Sequence, residues 1–213
     1  MKRLLLASLL AVSPFTWALD QAGTQHLAGL QQRWAAIQYR LPKAQRADAL
    51  EKLAAEATDF AHQYPGSAEP LIWEGIINSS WAGAAGGLGA LSKVKTAKAS
   101  LERALEMDPN ALQGSAYTSL GTLYDQVPGW PIGFGDADKA DALLRKALEI
   151  NPNGIDSNYF WADHLYRQKR YPEATAALHK ALQAPPRPGR ELADQGRRAD
   201  IDALLAAIKA KQD

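Results

Sequence analysis

The sequence predicts an all-α fold, a solenoid of helix hairpins stacked side by side. Three observations carry this. Apolar residues recur at helical spacing through segments separated by proline and glycine. The motif Ala97-x3-Leu101-x2-Ala104-Leu105-x3-Pro109 returns as Ala140-x3-Leu144-x2-Ala147-Leu148-x3-Pro152 and as Ala174-x3-Leu178-x2-Ala181-Leu182-x3-Pro186, and three copies at one internal spacing mark a repeat architecture. Upstream of the copies, Gly75, Gly121 and Ala162 place a small residue in register, where two helices must approach closely for the large side chains to interlock.

Residues 1–18 read as a secretory signal. Met1-Lys2-Arg3 is the charged part, Leu4 to Val12 the apolar part, and Thr16-Trp17-Ala18 offers small residues around a cut after Ala18. The competing readings are a short membrane anchor and a buried first helix, although the apolar run is too short to span a bilayer. From Gln21 to about Gln38, Leu27, Leu30, Trp34 and Ile37 form one amphipathic helix, which Leu41-Pro42 stops. A second follows through Leu50, Leu53, Ala57 and Phe60 to Tyr64-Pro65-Gly66. The short connection makes the two an antiparallel hairpin over residues 19–66, a divergent repeat or cap. A third helix starts near Glu69-Pro70, with proline tolerated in its first turn, and is apolar on most sides. Such a pattern suits a helix buried between neighbours.

Residues 67–186 then hold three repeats with two inserts. The first, 79–91, is rich in glycine and alanine. Its Gly86-Gly87-Leu88-Gly89 run lacks the preceding strand that a phosphate cradle needs; close backbone approach or a flexible insert at the mouth of a groove fits better. The second, 127–136, is Val-Pro-Gly-Trp-Pro-Ile-Gly-Phe-Gly-Asp, in which prolines and glycines forbid helix and a structured loop is expected. Asp136 precedes the next helix as its N-cap. After Pro185-Pro186-Arg187-Pro188-Gly189, residues 187–213 hold a final amphipathic helix that caps the stack.

At these residues the chain resembles the tetratricopeptide repeat (TPR) family, whose signature has a small residue late in the first helix, Ala-large-Ala in the second and proline in the turn. The resemblance covers residues 68–186 and implies a right-handed solenoid. The third copy has the family's 34-residue spacing between turn prolines, whereas the first two span 44 and 43, the surplus falling in the inserts. The layout also resembles the T-component of tripartite (TRAP) solute transporters, exported TPR-like proteins; that implies a solute-binding protein as partner and the capacity to form a trimer.

Composition limits the partners. Loss of Lys2 and Arg3 with the signal leaves 22 basic against 23 acidic side chains, without long runs of either sign, which argues against nucleic acid. No cysteine is present, so there is neither a disulfide nor a lipid-bearing cysteine. After residue 18 no apolar stretch is long enough to cross a membrane. The four histidines are scattered without metal-ligand spacing, and no nucleophile motif is present; the chain is read as non-enzymatic, with no cofactor and no metal.

In the TPR family the first helices line the concave face, which here implies Glu69, Ile72, Ile76 and Ser79 from the first copy. Ser115, Thr118, Thr122 and Asp125 come from the second, and Asp156, Tyr159, Asp163 and Tyr166 from the third. Hydroxyls, acids and tyrosines dominate this face. Lysine and asparagine that family members use on a terminal carboxylate are lacking. For Trp130 and Phe134 two readings stand: both plug the gap between hairpins, or both form a lid over the groove with Trp81. Two functions follow. One is an exported scaffold, periplasmic or secreted, that binds an envelope protein or peptide. The other is a transport accessory holding a small, partly apolar ligand, with a closed pocket around Trp73, Trp81 and Trp130.

Overall fold

The computed structural model describes residues 19–87 and 89–212; the signal and its cut after Ala18 lie outside them. Among the described residues the regular structure is all helical. In chain order the helices are α1 (Gln21–Tyr39), α2 (Lys43–Gln63), α3 (Ala68–Ala85), α4 (Ala90–Met107), α5 (Ala111–Gln126), α6 (Ala137–Ile150), α7 (Ile155–Arg167), α8 (Tyr171–Leu182) and α9 (Glu191–Gln212). The first eight form four successive hairpins, and the right-handed solenoid expected from the repeats is what they build.

The repeat motif works through close packing. A β-carbon on Gly75 would lie 2.5 Å from Leu101 Cγ, and one on Gly121 would lie 2.8 Å from Leu144 Cγ. Each glycine of a first helix thus receives the motif leucine of the second. Ala162 and Leu178 occupy the same register in the last hairpin, and both are fully buried. Large side chains seat against small ones, which brings the helix axes together.

Helix ends follow local chemistry. Asp20 caps α1 by accepting from the Gly23 amide at 2.7 Å, and Asp136 caps α6 by accepting from the Asp138 and Lys139 amides. The structure differs from expectation at the first insert. α3 runs on through Ser79–Ala85, and the chain leaves helix only at Gly86. Glycine lowers helix propensity by only about 1 kcal/mol, and Ala82 is buried against the central core, so packing carries the helix past Gly83.

Three apolar clusters follow one another along the stack. α9 belongs to two of them. Ile201, Leu204 and Ile208 pack on α7 and α8, while Ala193 and Leu192 join the cluster of Trp34 and Trp73 from the first hairpins. Gly196 lies so close to the Tyr39 ring of α1 that a β-carbon there would overlap it, and the Tyr39 hydroxyl donates to Asp200 at 3.2 Å. Beyond capping the last hairpin, α9 returns across the concave side to the first helix.

Candidate functional site

Between the first helices and α9 lies a cavity of about 930 Å³. α1 contributes Trp34, α3 contributes Trp73, Ile76 and the Ser79–Gly83 segment, and α5 supplies residues along its whole length. The rings of Trp34 and Trp73 meet edge to face at 5.7 Å. α4 adds Leu91 and Val94, the second insert adds Pro128 and Ile132, and the chain between α8 and α9 adds Arg187 and Arg190.

Three hydroxyls of the cavity wall are spent inside the protein. Ser79 donates to the Gly75 carbonyl, Ser80 to that of Ile76 and Thr122 to that of Thr118, each at 2.7–2.9 Å. Ser80 also accepts from the Trp34 indole at 2.8 Å. A serine or threonine bonded to the carbonyl four residues back offers its surroundings mainly carbon. The cavity wall is therefore more apolar than the residue names suggest.

Three of the four concave acids are engaged as well. Asp125, 5% exposed, bonds His164 Nδ1 at 2.7 Å and forms an ion pair with Arg167 at 3.1 Å. Asp163 accepts from Arg167 and Gln126. His164 is buried, and its Nε2 lies 3.6 Å from Asp141, so both ring nitrogens face carboxylates and the pair ties α5, α6 and α7 together. Asp156 takes Arg197 Nε at 2.8 Å and Arg187 Nη1 at 2.7 Å. A third of its side chain is exposed, and it lines the cavity. Burial pushes its pKa up, and the two guanidinium groups more than reverse this, holding it at about 2.

Of the concave residues read from the sequence, Ile76, Ser79, Ser115, Thr118, Thr122 and Asp156 line the cavity. Ile72 is fully buried in the core. Tyr159 lies under the Arg197 guanidinium at 4.3 Å, and Tyr166 packs on Tyr171. The aromatic residues of the inserts part company. Phe134 packs edge to face on Tyr124 at 5.4 Å, whereas Trp130 is 90% exposed and Ile132 68%. Trp81 is half-buried on the first cluster, with the Lys93 ammonium 4.1 Å over its ring. Trp130, standing in solvent, does not meet it.

The second insert is nonetheless tightly folded. Gly135 N donates to the Pro128 carbonyl and Asp136 N to that of Tyr124, at 3.0 and 2.9 Å, so the loop leaves and rejoins the stack at one point. A β-carbon on Gly135 would collide with the Val127 carbonyl. At the other end of α5, Leu112, Gln113 and Gly114 make a left-handed turn, with φ of 47°, 56° and 75°. Leu112 and Gln113 both line the cavity.

Reading by repeat missed Trp34, Leu91 and the arginines. Arg187, Arg190 and Arg197 sit outside the repeats, and the signal that could have found them is their density around the proline-rich segment before α9. Among the described residues no group of acidic and histidine side chains is arranged to hold a metal ion, and no helix is long and apolar enough to cross a membrane.

Comparison with known proteins supplies a family and a fold. A family model described as TRAP transporter T-component matches residues 21–209. Among solved structures, a thermophilic TPR protein from Thermus thermophilus is similar, with a TM-score of 0.58 over 89% of this chain and 96% of that one. At 17% identity this likeness shows the fold, a TPR helical repeat. No curated protein matches.

Proposed function

The chain belongs to the TRAP transporter T-component family, and from that premise we propose that it is a non-enzymatic, exported accessory of a transport system in the cell envelope. It holds a small, partly apolar ligand in the cavity between the first helices and α9 and associates with a solute-binding protein. The observation that carries this reading is the cavity itself. Its volume of about 930 Å³ falls within the range of small-molecule sites, and its wall combines two tryptophans with the internally bonded hydroxyls of Ser79, Ser80 and Thr122.

A second reading, recognition of another envelope protein, draws on the second insert. Trp130 and Ile132 are large apolar side chains held in solvent by a hydrogen-bonded loop, and such residues are enriched among binding hot spots. The two readings are compatible, since Ile132 also reaches the cavity.

Native mass spectrometry of the mature protein, released gently from the producing cell's envelope, tests both. A small adduct lost on activation supports the transport reading. An adduct-free chain that retains only a second protein would overturn it in favour of the recognition scaffold.

A further inference from the structure

Both inserts lie at one edge of the stack. Antiparallel pairing puts the turn inside every hairpin at the same edge, and Gly83 and Gly87 of the first insert border the cavity together with Pro128 and Ile132 of the second. The two stretches share one chemistry. From Trp81 to Leu91 and from Val127 to Gly135 no side chain carries a charge, a hydroxyl or an amide, so the indoles of Trp81 and Trp130 are their only polar side-chain groups. Residues 83–87 are exposed, and Trp130 and Ile132 stand out in solvent on the hydrogen-bonded loop.

Basic groups flank these stretches. Lys93 lies 4.1 Å over the Trp81 ring. Lys95 and Lys139 are exposed on the helices that follow the inserts, and Lys169 is exposed in the turn of the last hairpin. The acids of this edge are mostly spent: Asp125 and Asp163 hold Arg167, Glu173 pairs with Arg170, and Asp136 caps α6 and lies 4.0 Å from Lys139. Asp138 is left exposed among the lysines. The two central turns of the other edge bring acids instead, Glu106 and Asp108 before α5 and Glu149 near the end of α6. Charge is thus separated across the stack, and the apolar tips stand on its basic side.

A protein partner is ordinarily read with about one hydrogen bond per 100–200 Å² of contact. The side chains of these stretches offer almost none. A bilayer surface asks for none: tryptophan rings settle at the headgroup level of a membrane, and lysines set behind them meet anionic headgroups. We propose that the edge carrying the two inserts rests on an anionic phospholipid surface, with Trp130 and Ile132 entering the headgroup region and Lys93, Lys95 and Lys139 facing its phosphates. Contact is peripheral, since no helix among the described residues is long and apolar enough to cross a membrane. The loop of the second reading thereby gains a lipid counterpart in place of a protein, and the proposal does not depend on what the cavity holds.

Flotation of the mature protein with vesicles of phosphatidylcholine alone, and of phosphatidylcholine mixed equally with phosphatidylglycerol, tests this at pH 7 and low salt. A lysine near an anionic surface strengthens binding about fivefold. The mixed vesicles should therefore bind at least about tenfold more tightly than the neutral ones, and about 0.5 M salt should erase most of the difference. Trp130→Ser combined with Ile132→Ser should weaken binding to the mixed vesicles about tenfold; both side chains are exposed, so the melting temperature should stay unchanged. Lys95→Glu combined with Lys139→Glu should remove the preference for mixed vesicles. Equal binding to the two kinds of vesicle overturns the anionic surface as partner. Undiminished binding after the two serine substitutions overturns the loop as the contact. If neither vesicle binds, the lipid reading falls; a second chain that the wild type retains in native mass spectrometry and the serine variant loses then assigns the loop to a protein, and the cavity reading is untouched.

Discussion

Gly75 and Gly83 lie two turns apart on α3 and answer the same substitution oppositely. At Gly75 a β-carbon would press on Leu101 Cγ at 2.5 Å, in a fully buried setting, so Gly75→Ala should cost about 1–3 kcal/mol through overpacking. At Gly83 nothing lies within 4 Å, and Gly83→Ala should gain up to about 1 kcal/mol from helix propensity. Urea unfolding of the two variants, with midpoints moving in opposite directions, checks both. Asp156 sets a pH dependence. Its folded pKa of about 2 lies below the ordinary 3.8, so its stabilisation is complete above about pH 4 and is lost as pH falls toward 2. Asp156→Asn should therefore be less stable than wild type at pH 7 by about 2 kcal/mol, and the gap should narrow between pH 4 and pH 2.5 in parallel denaturation curves.

At the scale of elements, the left-handed turn at Leu112–Gly114 and the seat of α9 are the two places where the chain departs from a regular repeat. L-residues in the left-handed region cost about 1–2 kcal/mol each. Gln113, with φ of 56°, gives up only an exposed bond to Asn151 on substitution. Gln113→Gly should raise the unfolding free energy by about 1 kcal/mol, read from urea melts. Gly196→Val would drive a side chain into the Tyr39 ring. Amide exchange in residues 191–200 should then accelerate, while 201–208, held on α7 and α8 by Ile201 and Ile208, keep their protection. The hairpins were legible because their determinants are local: Gly75 with Leu101 and Gly121 with Leu144 recur at repeat spacing. The cavity was not, since Trp73 and Arg190 meet only after α9 crosses the molecule, a pairing over more than a hundred residues that no period announces. Polarity misled as well. Thr122 and Asp125 look available on a helical wheel, but one hydroxyl turns to its own carbonyl and the carboxylate to His164 and Arg167.

The whole molecule behaves as a closed circuit rather than an open array. In a linear solenoid each repeat touches its neighbours alone and unfolding can fray from an end; here α9 joins the last hairpin to the first through Tyr39, Ala193 and Gly196. Calorimetric and van't Hoff enthalpies of the intact chain should agree, as in a two-state domain, and Gly196→Val should drive them apart by freeing the two ends. The same closure imposes an order in time. α1 through α8 can each pack as they emerge, since every hairpin finds its partner in the segment just made, but the wall that carries Arg190 and Arg197 is synthesised after them. A nascent or prematurely stopped chain would hold the folded hairpins without the Arg187–Arg197 side of the cavity, so the complete cavity arises in a single late step and reports that the chain has been read into α9.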